Sequence, residues 1–368
     1  MKLNYSIKKS EKDILSRAKS FGKFNEISLE KSLFLFGDNF ENLSKLLNTF
    51  GPCVDLVYID PPFNTNQIFS VSGGRNNTIS RSNDGEVAYS DLMQRDEYIE
   101  FIRERLILIR ELLTEKGSIY LHIDNKIGHY IKIIMDEVFG EENFRNDITR
   151  VKSNPKNFGR KAYGNEKDVI YFYCKNTRKQ IWNEIRVSAD EEEIEKLFPK
   201  VDADGRRYTT IPLHAPGETK DGITGTEWRG MLPPKGRHWR TNPVVFDELD
   251  SLGLIEWSKT GNPRIKKFAD EHKGKKIQDI WKFKDPQYPI YPTEKNLDML
   301  IRIVEQSSTE GSIVMDCFAG SGSTLIAAAS KNRKWIGMDS SELALKTIEK
   351  QSDRLGSFII IKKTNDQI

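Results

Sequence analysis

The sequence predicts an α/β fold, with one sheet covered by helices on both faces. Three observations predict it. Short apolar runs of strand length recur along the chain. Each is followed by a stretch with helical periodicity. The alternation fills both ends of the chain and lapses in its middle. In order, SLFLFG (32–37) reads as a strand, and DNFENLSKLLNTF (38–50) as a helix capped by Asp38 or Asn39. VDLVYID (54–60) is a second strand. DEYIEFIRERLILIRELLTEKG (96–117) is an amphipathic helix with Gly117 near its end. SIYLHID (118–124) and KIGHYIKIIMDEVFG (126–140) give a further strand and helix. Much later, SIVMDCFAGSGSTLIAAASK (312–331) reads strand, tight turn, helix. KWIGMDSSELALKTIEKQ (334–351) reads strand, loop, helix.

From about residue 180 to 290 the alternation breaks down. This stretch holds five of the six tryptophans (Trp182, Trp228, Trp239, Trp257, Trp281) and is expected to be an inserted module using them as its core. Segment 70–85, SVSGGRNNTISRSNDG, has ten Ser, Gly or Asn among sixteen residues. It is expected to lack regular structure, as a surface loop or one that closes over substrate.

Composition sets outer bounds. The 368 residues allow one large domain or two ordinary ones, and 37% hydrophobic with 30% charged residues suits a soluble globule. No window approaches ~18 consecutive apolar residues, so no membrane partner is expected. The first 24 residues carry no secretory pattern. Cys53, Cys174 and Cys317 are widely spaced in apolar contexts and read as reduced core residues of a cytoplasmic protein. The five histidines share no ligand spacing with them, so no metal is expected. Net charge is only +3, but residues 145–180 contain ten Lys or Arg against three Asp or Glu, a distribution that suits a phosphate backbone.

VMDCFAGSGST (314–324) lies between a strand and a helix. Gly320 and Gly322 permit a tight turn and close approach of a ligand. A dinucleotide fingerprint would need Gly or Ala where Leu325 stands, and no Gly-Lys-Ser/Thr of a P-loop is present. Pyrophosphate binding is therefore disfavoured. Asp339 ends the next strand, where an acid can accept from ribose hydroxyls. A ribose site without a phosphate cradle suits S-adenosylmethionine. Asp38 is either a helix cap or an acceptor for a cofactor amino group.

VDLVYIDPPFNTN (54–66) ends an apolar strand on an aspartate followed by two prolines and a phenylalanine. DPPFN (60–64), together with FAGSG (318–322), resembles the β-class DNA amino-methyltransferases, in which the catalytic motif precedes the cofactor motif. FGDN (36–39) and YPTEKNLDMLIRIVEQSS (291–308) match further family motifs. GMLPPKGRHWR (230–240) and NPRIKKF with QDIW are similar to the modification subunits of type III restriction systems. The catalytic motif departs from the family in carrying Phe63 where Tyr is more usual, and the chain is shorter than typical type III modification subunits.

The resemblance implies a Rossmann-like, circularly permuted S-adenosylmethionine-dependent methyltransferase fold with an inserted target-recognition region. Residues 1–30 would be an N-terminal extension, 31–179 the catalytic half, 180–288 the recognition region, and 289–368 the cofactor-binding half. It implies catalysis by Asp60, Pro61, Pro62 and Phe63. The Asp60 carboxylate and the Pro61 carbonyl would accept from the target amine, and Phe63 would stack on a flipped base. The cofactor would meet Asp38, Thr293, Lys295, Asp316, Phe318, Ala319, Gly320, Ser321, Gly322, Thr324 and Asp339. Double-stranded DNA would meet Lys152, Lys156, Arg160, Lys161, Arg229, Lys235, Arg237 and Arg240. An Asp in the first motif position favours adenine N6, and Ser would favour cytosine N4. Cytosine-N4 methylation and a catalytically inactive DNA-binding relative stay open as alternatives. Among protein partners, the resemblance leaves room for a homodimer and for a separate restriction subunit.

Overall fold

The computed structural model describes residues 2–62, 68–71, 79–80, 86–90, 94–153, 161, 163–219, 221–287, 289, 291 and 294–362. Of the expected site residues, Phe63, Lys156, Arg160 and Thr293 lie outside these, as does most of segment 70–85. The chain divides into two units: residues 1–185 with 278–368, and residues 186–277. The sequence bounds of 180–288 for the inserted region are wider at both ends.

The first unit is built on nine strands: β1 (Ser32–Phe36), β2 (Val54–Ile59), β3 (Leu113–Ile123), β4 (Phe144–Val151), β5 (Lys167–Cys174), β6 (Ile280–Lys282), β7 (Ile313–Asp316), β8 (Lys334–Asp339) and β9 (Phe358–Lys362). Their order across the sheet is β6–β4–β5–β3–β2–β7–β8–β1–β9. Every pairing is parallel except those of β5, which runs against both β3 and β4. The principal helices are α1 (Glu11–Lys19), α2 (Asn39–Phe50), α3 (Arg95–Leu112), α4 (Gly128–Phe139), α5 (Leu297–Ser307), α6 (Ser323–Ser330) and α7 (Glu342–Lys350). The inner strands read as nearly unbroken apolar runs because helices cover both faces: Leu56, Val57, Val314 and Met315 are all fully buried. β2 and β7 are neighbours, with Leu56 opposite Val314 and Val57 opposite Met315. Pairing of these two strands brings together motifs more than 250 residues apart in sequence.

Three expectations are corrected here. Helix α3 closes at Leu112 and the chain turns directly into β3, so Gly117 lies in a strand instead of near a helix end. A Cβ at Gly117 would stand 3.0 Å from the Val54 carbonyl and 2.8 Å from a Leu113 methyl, so this glycine serves close approach to β2. Segment 70–85 does contain regular structure. Ile68–Val71, Ile79–Ser80 and Glu86–Ser90 form a small antiparallel sheet. Finally, the tryptophans divide between the units. Trp281 is buried on β6, while half-exposed Trp182 stacks at 5.7 Å on Phe172, both in the first unit.

Residues 2–30, whose role the sequence leaves open, explain the buried charges of α3. The Tyr5 hydroxyl donates to Glu100 at 2.5 Å, Lys9 and Arg17 both pair with Glu104, and Arg103 donates to Glu100 and to the Lys9 carbonyl. Burying these charges is tolerable because each has an opposite partner. Ile14 and Ala18 of α1 join the main core.

The second unit is a four-stranded antiparallel sheet (200–201, 207–212, 263–268 and 255–257, in that order) with helix Pro243–Ser251. Its core is Leu213, Trp228, Trp239, Phe246, Ile255 and Ile265. Both buried indoles are satisfied: Trp228 donates to Asp247 and Trp239 to the Thr226 carbonyl. Trp257 is 42% exposed and stacks on Trp228. Among the described residues, no helix is long and apolar enough to cross a membrane. None of their His, Cys, Asp and Glu form a group of three that could hold a metal ion.

Candidate active site

Four aspartates gather at one edge of the sheet. β1, β2, β7 and β8 are parallel and contiguous, so all four finish at that edge. Asp38 follows β1, Asp60 follows β2, Asp316 ends β7 and Asp339 ends β8.

The turn after β7 is built for glycine. Gly320 and Gly322 have φ of +48° and +78°. A Cβ on Gly320 would stand 3.1 Å from Cε1 of buried Tyr291, and one on Gly322 would stand 2.4 Å from Ile348 Cδ1. Asp339 anchors the turn, accepting from the Gly320 and Ser341 backbone N–H groups, each at 2.8 Å. A carboxylate offers about four lone-pair sites, so Asp339 keeps acceptor capacity beyond these two bonds. Phe318 N–H donates to Asp316 at 2.9 Å, and the Ser321 and Ser323 hydroxyls share a hydrogen bond. Thr324 and Ala319 are buried beside them. Asp38 caps α2 through Glu41 N–H, so the capping role is present. Its other oxygen faces Arg105, which also binds Asn39, and Asn39 in turn donates to the Cys317 carbonyl. Burial brings Arg105 down to about 10.

Asp316 is a strongly perturbed acid. Burial pushes it up to about 7 against the opposing bonds from Thr324 and Phe318, and the nearby Asp60 and Asp339 add to the rise. A carboxyl whose folded value is raised destabilises the fold once ionised. The penalty is absent below about pH 4, the unfolded value, and complete above about pH 7. Stability from this group therefore falls as pH rises through that window. Asp316→Asn is expected to flatten that fall and to gain more stability at pH 8 than at pH 5, as read by thermal unfolding of the ligand-free chain.

Asp60 has two unlike oxygens. Oδ2 pairs with the ammonium of nearly buried Lys295. Oδ1 is buried and has no hydrogen-bond partner among the described residues. Such a buried acceptor is rare and marks a position able to receive a donor. Lys295, expected to meet the cofactor, pairs with Asp60 of the DPPF segment. The adjacent Asn296 caps α5 and ties to the Lys284 carbonyl, which fixes the segment carrying the lysine. Pro61 is buried and Pro62 half-buried, which fixes the backbone after Asp60. Lys295→Met is expected to unpin the carboxylate and lower kcat by roughly 10²-fold, the cost of a misplaced reacting group. Single-turnover methyl transfer measures it.

The expected DNA contacts fall into two sets. Lys161, Lys235, Arg237 and Arg240 are exposed, with Arg237 against His214 and Arg240 Nε donating to the Pro212 carbonyl. Lys152 and Arg229 already have carboxylate partners: Lys152 pairs with Asp168 at 2.5 Å, and Arg229 with Asp247 and Asp250. Several site residues were missed from sequence. Tyr291 packs on the glycine turn, and a buried polar row (Tyr58, His122, Asp168, Arg150) continues from Asp60 along the same sheet edge. The signal available was polar residues at the ends of otherwise apolar strands, His122 in SIYLHID and Asp168 in KDVIYFYC.

Comparison with known proteins gives the family. Residues 54–350 match the N6_N4_Mtase family model, described as DNA methylase. The chain is 42% identical over 363 residues to the type II methyltransferase M.EcaI of Enterobacter cloacae, covering 95% of this chain and 77% of that protein. It is 27% identical over 391 residues to the EcoPI Mod subunit, a type III restriction-modification enzyme of Escherichia phage P1, covering 89% of this chain and 59% of that one. The chain therefore spans well under two thirds of that subunit. Among solved structures, the PvuII DNA methyltransferase (cytosine-N4-specific) aligns at 10% identity with a TM-score of 0.47, covering 92% of this chain and 96% of that one. The glycine turn and the acidic strand ends fit S-adenosylmethionine as methyl donor. With the family match over residues 54–350, they place this chain in the DNA methylase family, as an S-adenosylmethionine-dependent, site-specific DNA methyltransferase.

Proposed function

We propose that this chain methylates N6 of an adenine flipped out of double-stranded DNA. The observation that carries the reading is Asp60, an aspartate in the first position of the catalytic motif with one oxygen paired and the other without a hydrogen-bond partner among the described residues. S-adenosylmethionine supplies the methyl group from a sulfonium centre. The target amine is a poor nucleophile because its lone pair is delocalised into the ring. Asp60 Oδ1 accepts from one amine hydrogen and the Pro61 carbonyl from the other, which favours a pyramidal nitrogen with a localised lone pair. Acceptors fixed in advance need no reorganisation as charge develops on nitrogen. Phe63 stacks on the flipped ring, which offsets part of the few kcal/mol of unstacking. Asp38, Thr293, Asp316, Phe318, Gly320, Gly322 and Asp339 hold the cofactor, the glycine turn by its backbone and the acids by acceptor oxygens.

Residues 186–277 serve as the target-recognition unit. Lys161, Lys235, Arg237 and Arg240 contact DNA, and Lys152 and Arg229 join only by exchanging their carboxylate partners for phosphate. The relatives named as type III Mod subunits support a separate restriction subunit, and the family resemblance supports a homodimer. The proposed compartment is the cytoplasm. Modification-sensitive sequencing of DNA from methylase-free cells expressing the chain tests the reading. One short sequence motif modified at a fixed adenine in nearly every copy is expected. Modification without a shared motif, or at cytosine, would contradict it.

A further inference from the structure

We propose that His122 is a positioning residue for the transfer, held by Asp168 and Tyr58 in the one tautomer that cannot donate to Asp60, so that Asp60 Oδ1 stays open for the target amine. The inference rests on the function proposed above and deepens it.

β2 and β3 pair with Ile59 opposite Leu121, so the next residues, Asp60 and His122, face each other at the sheet edge. His122 is fully buried. Its Nε2 lies 3.4 Å from Asp168 Oδ2, and its Nδ1 lies 2.8 Å from the Tyr58 hydroxyl and 3.8 Å from Asp60 Oδ1. Both carboxylates can only accept, and Asp168 stands closer to Nε2 than Asp60 does to Nδ1, so the proton of a neutral ring is favoured on Nε2. Nδ1 then carries a lone pair and accepts from Tyr58, whose hydroxyl burial keeps protonated. Asp168 is held as a carboxylate. Burial alone would raise it, but His122 and Lys152 bring it down to about 2. Arg150, 3.9 Å away and fully buried, adds a further positive charge.

The opposite tautomer, or a protonated ring, would place an N–H on Nδ1, 3.8 Å from Asp60 Oδ1, where it competes with the amine for that oxygen. The charged groups facing the ring are Asp60 after β2, Asp168 on β5 and Lys295 before α5. Burial and Lys295 disfavour the imidazolium, and the two aspartates favour it, with burial prevailing, so the ring titrates below its ordinary value. Methyl transfer should then lose rate on the acid side as Nδ1 gains a proton.

The test is the pH profile of single-turnover transfer by the full chain on DNA carrying its site, with S-adenosylmethionine saturating. The wild-type rate is expected to fall below about pH 6.5, the ordinary histidine value or lower. Asp168→Asn removes the charge that supports the imidazolium, so its acid limb moves to lower pH. Its plateau rate falls by roughly tenfold or more because the tautomer is no longer fixed. Tyr58→Phe removes the donor that supports the neutral ring, so its limb moves to higher pH, and it changes little in volume should Asp168→Asn fail to fold. Cofactor affinity by calorimetry stays near wild type in both. Limbs unmoved by both substitutions, or moved in the same direction, would overturn the inference while leaving the functional reading intact. No transfer by the wild-type chain would overturn both.

Discussion

Asp60→Ala is expected to lower methyl transfer by about 10²–10³-fold, the usual cost of deleting one preorganised polar partner of developing charge. Cofactor affinity should stay near wild type. The side chain lies at the end of β2, while the turn that would meet the cofactor follows β7 and is anchored by Asp339 and Tyr291. The substitution also strands Lys295, whose ammonium pairs with Asp60 and is nearly buried. Leaving one member of a buried pair alone is costly, so some loss of thermal stability accompanies the loss of rate. Asp60→Asn separates the two effects, since the amide fills the same space without the charge. Single-turnover rates, calorimetry with S-adenosylmethionine and thermal melts on both variants provide the comparison. Rates within a few-fold of wild type in the alanine variant would mean that the carboxylate does not activate the amine.

Trp239→Ala is expected to unfold the second unit. The indole is 3% exposed, packs against Trp228 and Phe246, and satisfies its N–H with the Thr226 carbonyl. Truncating such a residue costs about 3–5 kcal/mol. The cluster it belongs to holds six buried hydrophobic residues, so it has little margin to absorb the loss. The nine-stranded sheet and its glycine turn lie wholly in the other unit. Calorimetry should therefore still find S-adenosylmethionine binding while site-specific methylation disappears. Retained methylation of the same motif in a variant whose second unit has melted would remove that unit from target recognition.

The sequence was most legible where local and global demands agree. β2, β7 and β8 are apolar because both faces are covered, and each delivers an aspartate at its carboxyl end, so strand and site residue could be read together. Gly320 and Gly322 were legible because only glycine suits their backbone angles beside Tyr291 and Ile348. The less legible features depend on tertiary partners. The end of α3 is one, since helical periodicity continues into LTEKG and only the approach of β2 turns that stretch into strand. The charges of α3 are another, because their burial is set by the N-terminal segment from which they are 87–95 residues distant in sequence. The partner of Lys295 is a third. Its motif neighbours suggest the cofactor and give no sign of its pairing with Asp60, a distant segment of the sequence. His122 and Asp168 were passed over because a single polar residue at a strand end also reads as an ordinary boundary.

The chemical identity of the modified base tests the account most directly. DNA from cells lacking other methylases and expressing this chain is digested to nucleosides and analysed by mass spectrometry. N6-methyl-2′-deoxyadenosine as the sole new nucleoside, absent when Asp60→Ala is expressed, is the predicted result. N4-methyl-2′-deoxycytidine, or no modified nucleoside from the folded wild-type chain, would contradict it.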